Sequence, residues 1–274
     1  IMSMVPIGAS IKDGYEAGHG LPFDSEGMKA RYPGVYFSQF TGAEMMAKKW
    51  NLSREDLDNF AFSSHQKAIA AVHGKYFDRE ILPVQAKNAE GKTDMIFTDE
   101  GIRYDASLEA LAGLKPVTEG GVITAGNASQ ITDGAAAVMV CNEEGLKKIK
   151  TDPRARIVAI SVVGDDPIMM LGAPIPASHK VLKAAGLNIH DIDLYEINEA
   201  FAPVPLSWAI DLKADQDKLN VNGGAMALGH PLGATGAKLM TTLLHELERR
   251  DGKYGLQAIC EGGGTANATI IERL

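Results

Sequence analysis

Four separated segments of this chain set polar or nucleophilic side chains among glycines and small residues, where a plain apolar core has no use for them. They are Gly126-Asn127-Ala128-Ser129-Gln130-Ile131-Thr132-Asp133-Gly134, Asn198-Glu199-Ala200-Phe201, the run from Asn222 to Gly236 around Gly229-His230-Pro231, and Cys260-Glu261-Gly262-Gly263-Gly264. Each has a bland reading. Asn198 is a favoured helix cap and Glu199 suits a first turn. A single histidine or a single buried cysteine is more often structural than reactive, and 126–134 alone reads as a polar turn. The run 222–236 has neither G-x-G-x-x-G in register nor the Gly-Lys-Ser/Thr ending of a phosphate loop, so nucleotide cradling is not its natural use. Small residues there let backbone approach a ligand closely, and Pro231 restrains His230 to extended geometry. Three glycines after Cys260 leave backbone N–H groups free to face a developing oxyanion. A thiol, an imidazole and an amide that converge fit acyl transfer or Claisen chemistry.

The elements that must position these groups follow from periodicity. Ser53-Arg54-Glu55-Asp56 is a capping box, and Leu57, Phe60, Ala61, Ser64, Ala68 and Ala71 recur at helical spacing, predicting a helix to about residue 76. Short strands are expected at 81–84 and 95–99, and a short helix at 108–114. The apolar run 133–140 reads as a buried strand. Beyond Thr151-Asp152-Pro153, strands at 156–163, 194–197, 219–222, 256–260 and 269–272 alternate with helices at 177–185, 200–212 and 233–250. Such alternation implies an α/β fold, a mostly parallel sheet covered by helices. Asn198, His230 and Cys260 each come just after, or at the end of, a strand of that sheet, on the edge where ligands bind in open α/β folds. A strand, small-residue turn and strand recur at 125–140 and 259–271, a weak sign of duplication.

Composition removes other classes. The 274 residues are 45% hydrophobic and carry a net charge of −8, with no basic stripe of the kind that tracks a nucleic acid. No apolar run nears the ~20 residues of a bilayer span, so neither nucleic acid nor membrane is an expected partner, and a cytoplasmic location is expected. Two cysteines, Cys141 and Cys260, are too few for a disulfide scaffold or a paired zinc site. Cys141 reads as a small hydrophobe. The opening, Ile1 straight into Met2-Ser3-Met4, reads as a chain entered partway.

Taken together, Asn198-Glu199-Ala200-Phe201, the Gly223-Gly224 to Gly236 segment with Gly229-His230-Pro231, Cys260-x-Gly-Gly-Gly, and Gly126-Asn127-Ala128-Ser129 with Asp133-Gly134-Ala135 resemble the signatures of the thiolases, in that family's order and spacing. The resemblance implies a layered fold with duplicated sheets plus a loop domain: residues 1–121 as the coenzyme A-covering loop domain, 122–150 as the end of the N-terminal half, 151–274 as the C-terminal half. It implies coenzyme A-dependent cleavage of 3-ketoacyl thioesters, or the reverse condensation. Coenzyme A and acyl-coenzyme A would be substrates, with no metal and no permanently bound cofactor, in a homodimer or homotetramer. Cys260 would be the general acid/base, its thiol pKa depressed by a neighbour; His230 would stabilise the thioester oxygen and help activate the nucleophile; Asn198 would hold a water at that oxygen; Gly262 would give a backbone N–H to a second oxyanion hole. Ser129, Ala125, Leu114 and Arg103 align with coenzyme A-contacting positions. Residues 1–50 and Phe201 would border the acyl pocket, with fatty-acid or sterol side-chain oxidation as the setting. One departure is large: thiolases carry the acylated cysteine in a segment preceding Met2-Ser3, and Cys141 aligns with no catalytic position. A ketosynthase-like condensing enzyme shares the fold but pairs two histidines where this chain has Asn198 and His230. A non-catalytic acyl-coenzyme A-binding homologue is the third reading.

Overall fold

The computed structural model describes residues 2–87 and 90–274. Ten α-helices, two short 3-10 helices and six strands are found among them. In the first half these are α1 (Ala9–Glu16), α2 (Glu26–Arg31), α3 (Gln39–Lys49), α4 (Arg54–His73), the hairpin β1 (Val84–Lys87) and β2 (Thr93–Ile96), and α5 (Leu108–Ala112). Then come α6 (Glu143–Ile149), β3 (Ala155–Gly164), α7 (Pro174–Ala185), β4 (Leu194–Ile197), α8 (Pro203–Leu212), α9 (Ala225–Leu228), α10 (Thr235–Arg250), β5 (Tyr254–Glu261) and β6 (Thr265–Arg273).

The capping box forms as read: the Asp56 N–H donates to Ser53 Oγ and the Ser53 N–H to Asp56 Oδ2, satisfying two end groups of α4 reciprocally. The helix stops a turn early, because Lys75 enters the left-handed region at φ 59°. The later part of its buried stripe, Ala61, Ser64, Ala68 and Ala71, is made of small residues, so the loop at Gly223 lies close against it. Helices α1 and α2 bury no residue, in keeping with an irregular, loop-like start.

The main sheet has the order β3-β6-β5-β4. The mostly parallel sheet expected from the alternation is in fact mixed. The β4–β5 ladder is parallel, with Ile197 opposite Ala258, whereas β5–β6 and β6–β3 are antiparallel. The reason is local: only the turn 262–264 joins β5 to β6, and so short a connection can make only a hairpin. Val181 and Leu182 of α7 and Trp208 and Ala209 of α8 pack with Tyr195, Ile197, Leu256 and Ala258 on one face. Leu243 and Leu247 of α10 pack with Leu194 and Ile271 on the other. The layered α/β architecture therefore holds.

Two expected strands do not form. At 219–222 only isolated parallel bridges are made, Leu219 with Tyr195 of β4 and Val221 with Gly223. Asn220, at φ 45°, turns its side-chain amide onto β4 instead, accepting from the Ile197 N–H and donating to the Ile197 carbonyl, both at 2.9 Å, and so takes the place of a ladder rung. At 133–140 no strand is formed, and Met139 is 75% and Val140 69% exposed. An apolar run becomes a buried strand only where a neighbouring strand receives its N–H and C=O groups, and among the described residues none does. The duplicated second sheet is accordingly not seen there.

Candidate active site

The end of β4 and the start of α10 bring two predicted residues together. Asn198 follows the last residue of β4, and its backbone N–H donates to Ala258 of the parallel neighbour, which fixes its direction. Its side-chain Nδ2 lies 3.3 Å from His230 Nε2. The other ring nitrogen, Nδ1, lies 2.6 Å from Thr235 Oγ1, and that hydroxyl donates to the Pro231 carbonyl at 3.0 Å. Because the hydroxyl proton is committed to Pro231, Oγ1 accepts from Nδ1–H. The ring therefore carries its proton on Nδ1 and a lone pair on Nε2, which accepts from Asn198. Burial pushes the His230 pKa down to about 4, so the imidazole is neutral near pH 7 and ready to take a proton. Asn198 is buried, and its Oδ1 has no protein partner among the described residues.

Cys260 sits on β5, two residues beyond the carbonyl that receives the Asn198 N–H. The strands thus put the thiol on the same sheet edge, yet among the described residues no side-chain hydrogen bond joins it to His230 or Asn198. Burial pushes its pKa up to about 12, with Glu261 adding to the rise. The expectation of a depressed thiol pKa fails: Cys260 lies among Ala258, Ala266 and core apolar atoms, and among the described residues no cation acts on it to favour a thiolate. Gly262 is exposed at the head of the β5–β6 turn, whose Gly263 and Gly264 both have φ near 79°.

The fourth segment closes the site from the other side. Ala128 bridges Phe201, the Ser129 N–H donates to Ala200, the Ala202 N–H donates to Asn127, and the His230 N–H donates to the Gln130 carbonyl. Gln130 Nε2 also donates to Met226 and Gly101 carbonyls, at 2.6 and 2.7 Å. Gly229 lies at φ 81° with the Thr132 side chain where a Cβ would go, so this close approach needs glycine. Asn127 is buried and donates to Asp58 of α4 and to the Val122 carbonyl, fixing the segment to the helix.

Of the positions expected to meet coenzyme A, Leu114 and the chain at Ala125 and Gly126 are neighbours: a Cβ on Gly126 would collide with the Leu111 and Leu114 side chains. Ala125 is exposed and Ser129 partly so. Arg103 is placed on different ground, with an exposed side chain and a backbone N–H donated to His65 Nδ1 at 3.1 Å. Burial, with Arg103 nearby, holds the His65 pKa below its ordinary value. Phe201 is buried edge-on to Phe40.

Sequence reasoning missed Thr235, Gln130, Ser64 and the full part of Glu199. Thr235 lies five residues after His230 at the first turn of α10, and that i, i+5 relation across a proline carries no periodic signal. Glu199 had one visible sign, a carboxylate directly between Asn198 and an apolar stretch that was destined for the core.

An amide-held imidazole on the sheet edge that also carries a thiol is a set of groups suited to acyl transfer, on a layered α/β fold. The chain belongs to the thiolase family: the family model "Thiolase, N-terminal domain" matches residues 25–144, and "Thiolase, C-terminal domain" matches 151–273. It is 51% identical over all 274 residues to a steroid 3-ketoacyl-CoA thiolase of Mycobacterium tuberculosis, of which it covers 66%. It is 46% identical over 237 residues to a 3-ketoacyl-CoA thiolase of Yersinia pestis, covering 61% of that protein and 85% of its own length. Among solved structures, the Bacillus anthracis acetyl-CoA acetyltransferase superposes with a TM-score of 0.83 at 41% identity over 88% of this chain and 61% of that one. Human mitochondrial 3-ketoacyl-CoA thiolase in complex with CoA gives 0.82 at 44% identity, over 85% of this chain and 58% of that one. The chain thus spans about three-fifths to two-thirds of the length of these relatives. Among the described residues no helix is long and apolar enough to cross a membrane.

Proposed function

We propose that this chain provides the proton-transfer and oxyanion-binding part of a thiolase that cleaves 3-ketoacyl-coenzyme A with coenzyme A. The observation that carries this is the Asn198–His230–Thr235 relay, which presents a neutral imidazole with its Nε2 lone pair fixed by an amide on one side and a hydroxyl on the other. When an arriving thiol displaces the Asn198 Nδ2–H from Nε2, Nε2 takes the thiol proton as the thiolate attacks the 3-keto carbonyl, and the imidazolium so formed donates to the oxygen that becomes negative. Asn198 Oδ1 accepts from a water whose other proton faces that oxygen. Breaking the Cα–Cβ bond leaves the electron pair on the α-carbon of the acetyl thioester, and Cys260 supplies the proton there. A thiol kept neutral by burial is in the form that cleavage consumes. The Gly262 N–H faces the enolate oxygen. Coenzyme A then attacks the acyl-enzyme, returning the thiol.

The acylated thiol lies outside these 274 residues in this reading, since Cys141 is exposed and aligns with no catalytic position of the family. Leu114, Ala125, Ser129 and, at its margin, Arg103 contact coenzyme A; residues 1–121, 122–150 and 151–274 act as the loop domain, the end of the N-terminal half and the C-terminal half. The protein works in the cytoplasm as a homodimer or homotetramer. Likeness to a steroid-acting relative and to acyl-acting ones supports a lipid-derived acyl chain. The test is intact and peptide mass analysis of the full-length protein after incubation with an acyl-coenzyme A. An acyl group on a cysteine other than Cys141 and Cys260 is expected; acylation of Cys141, or of none, overturns the reading.

A further inference from the structure

Resting on the thiolase reading, we propose that Glu199 is the positioning residue that sets the separation of Asn198 from His230. Its carboxylate is buried at the junction of three segments. Oε2 accepts from Ser64 Oγ of α4 at 2.7 Å and from the Met226 N–H at 3.1 Å, and Oε1 accepts from Asn220 Nδ2 at 2.9 Å. Ser64 Oγ in turn accepts the Gly224 N–H at 3.0 Å. Asn198 is the residue directly before Glu199, and His230 is four residues beyond Met226, so one carboxylate ties both catalytic segments to the same helix. The fit has no slack: a Cβ on Gly224 would overlap the carboxylate, and one on Gly223, at φ 78°, would overlap the Ser64 carbonyl.

The donors define the charge state that the clamp uses. Met226 N–H and Asn220 Nδ2–H can only donate, and Ser64 already accepts from Gly224, so all three hydrogen bonds run toward the carboxyl oxygens, an arrangement that a carboxylate meets without an unpartnered O–H. Burial raises the Glu199 pKa, while Ser64, Asn220, Met226 and the nearby Lys67 ammonium oppose the rise. Lys67 donates to the Leu219 carbonyl at 2.9 Å, keeping a cation beside the buried pair Glu196 and Glu199. Glutamine at 199 keeps the volume but turns an NH2 toward at least one of these donors, so either the Asn220 amide or the Gly224–Met226 turn must move away. A displacement near 1 Å in a catalytic constellation costs on the order of 10²-fold in rate.

The experiment compares full-length wild type with Glu199→Gln and, as a milder variant that removes one arm of the clamp, Ser64→Ala. Steady-state cleavage and NMR titration of the His230 ring are followed in each. Expected in Glu199→Gln are a kcat lower by about 10²-fold with KM within about threefold, and a His230 pKa raised from its depressed value toward the ordinary ~6.5 as water reaches the loosened turn. Ser64→Ala should move both in the same direction by less. An unchanged His230 titration in both variants overturns the clamp, as does a kcat that falls only in proportion to the folded fraction. If wild type itself cleaves no 3-ketoacyl thioester, the parent reading has failed, and the ring titration still decides the clamp. If Glu199→Gln does not fold, Ser64→Ala decides it.

Discussion

Replacing Thr235 by valine separates the chemistry of His230 from its packing. The two side chains are nearly isosteric, Thr235 is 2% exposed, and no cavity opens. What is lost is one hydroxyl with two bonds: the His230 Nδ1–H loses its acceptor, whereas the Pro231 carbonyl keeps the Ala234 and Thr235 backbone N–H donors. Leaving a buried polar group unpaired costs about 1–3 kcal/mol, so the Nδ1–H tautomer is disfavoured by roughly that amount. The ring then gains by moving its proton to Nε2. Asn198 can follow, because its partnerless Oδ1 needs only a flip of the amide to accept from Nε2–H. The result is an intact but inverted relay with no lone pair for a thiol proton. General-base transfer is worth about 10²–10⁴-fold, or roughly 3–5 kcal/mol at about 1.4 kcal/mol per decade. Full-length Thr235→Val should therefore lose at least about 10²-fold in kcat, measured by the absorbance of 3-ketoacyl-coenzyme A. KM should change little, and Thr235→Ser should restore the rate. A valine variant within about threefold of wild type, or a serine variant as slow as valine, refutes the tautomer assignment.

Other outcomes follow from the same geometry. Two buried groups oppose each other in acid: burial raises Glu80 from 4.5 to about 7, so the folded state loses stability as pH rises through that window, whereas His230, lowered from 6.5 to about 4, makes it lose stability as pH falls. Each difference is worth about 3 kcal/mol. Glu80→Gln should make stability rise more steeply from pH 4.5 to 7 than wild type, and His230→Asn should make it rise less or fall, in urea unfolding at several pH values. Equal slopes in all three proteins contradict the burial argument. Iodoacetamide at pH 8 should modify exposed Cys141 and spare buried Cys260, as read by peptide mass analysis; faster labelling of Cys260 would mean an activated thiol. Trp208 is fully buried, donates to Ser178 Oγ at 2.8 Å and packs on Tyr195, so Trp208→Ala should cost about 3–5 kcal/mol. A loss under about 1 kcal/mol in chemical denaturation would place the core elsewhere.

Much of the fold could be read from residue order because local and tertiary preferences agree. The capping box starts α4 where it was expected, and the four apolar or long residues 194–197 form β4 within the predicted bounds. Asn198 and His230 were placed together by the rule that strand ends share an edge, and they do meet. What escaped depends on partners far along the chain. Nothing local to 219–222 reveals that Asn220 will bond to Ile197 with its side chain, and nothing in 133–140 reveals whether a strand lies beside it. The mixed sheet was hidden because alternation of strands and helices says nothing of a hairpin whose only mark is three glycines. The Cys260 pKa was misjudged for a like reason: its neighbours Ala258 and Ala266 come from β-register, and they bring no charge.

The most direct test of the account is thiolysis by the full-length protein, with single His230→Asn and Cys260→Ser variants assayed beside wild type under saturating coenzyme A. Cleavage by wild type and losses of at least about 10²-fold in both variants are expected, with folding and acyl-coenzyme A binding retained. Failure of wild type to cleave, or cleavage that survives either substitution, would contradict it.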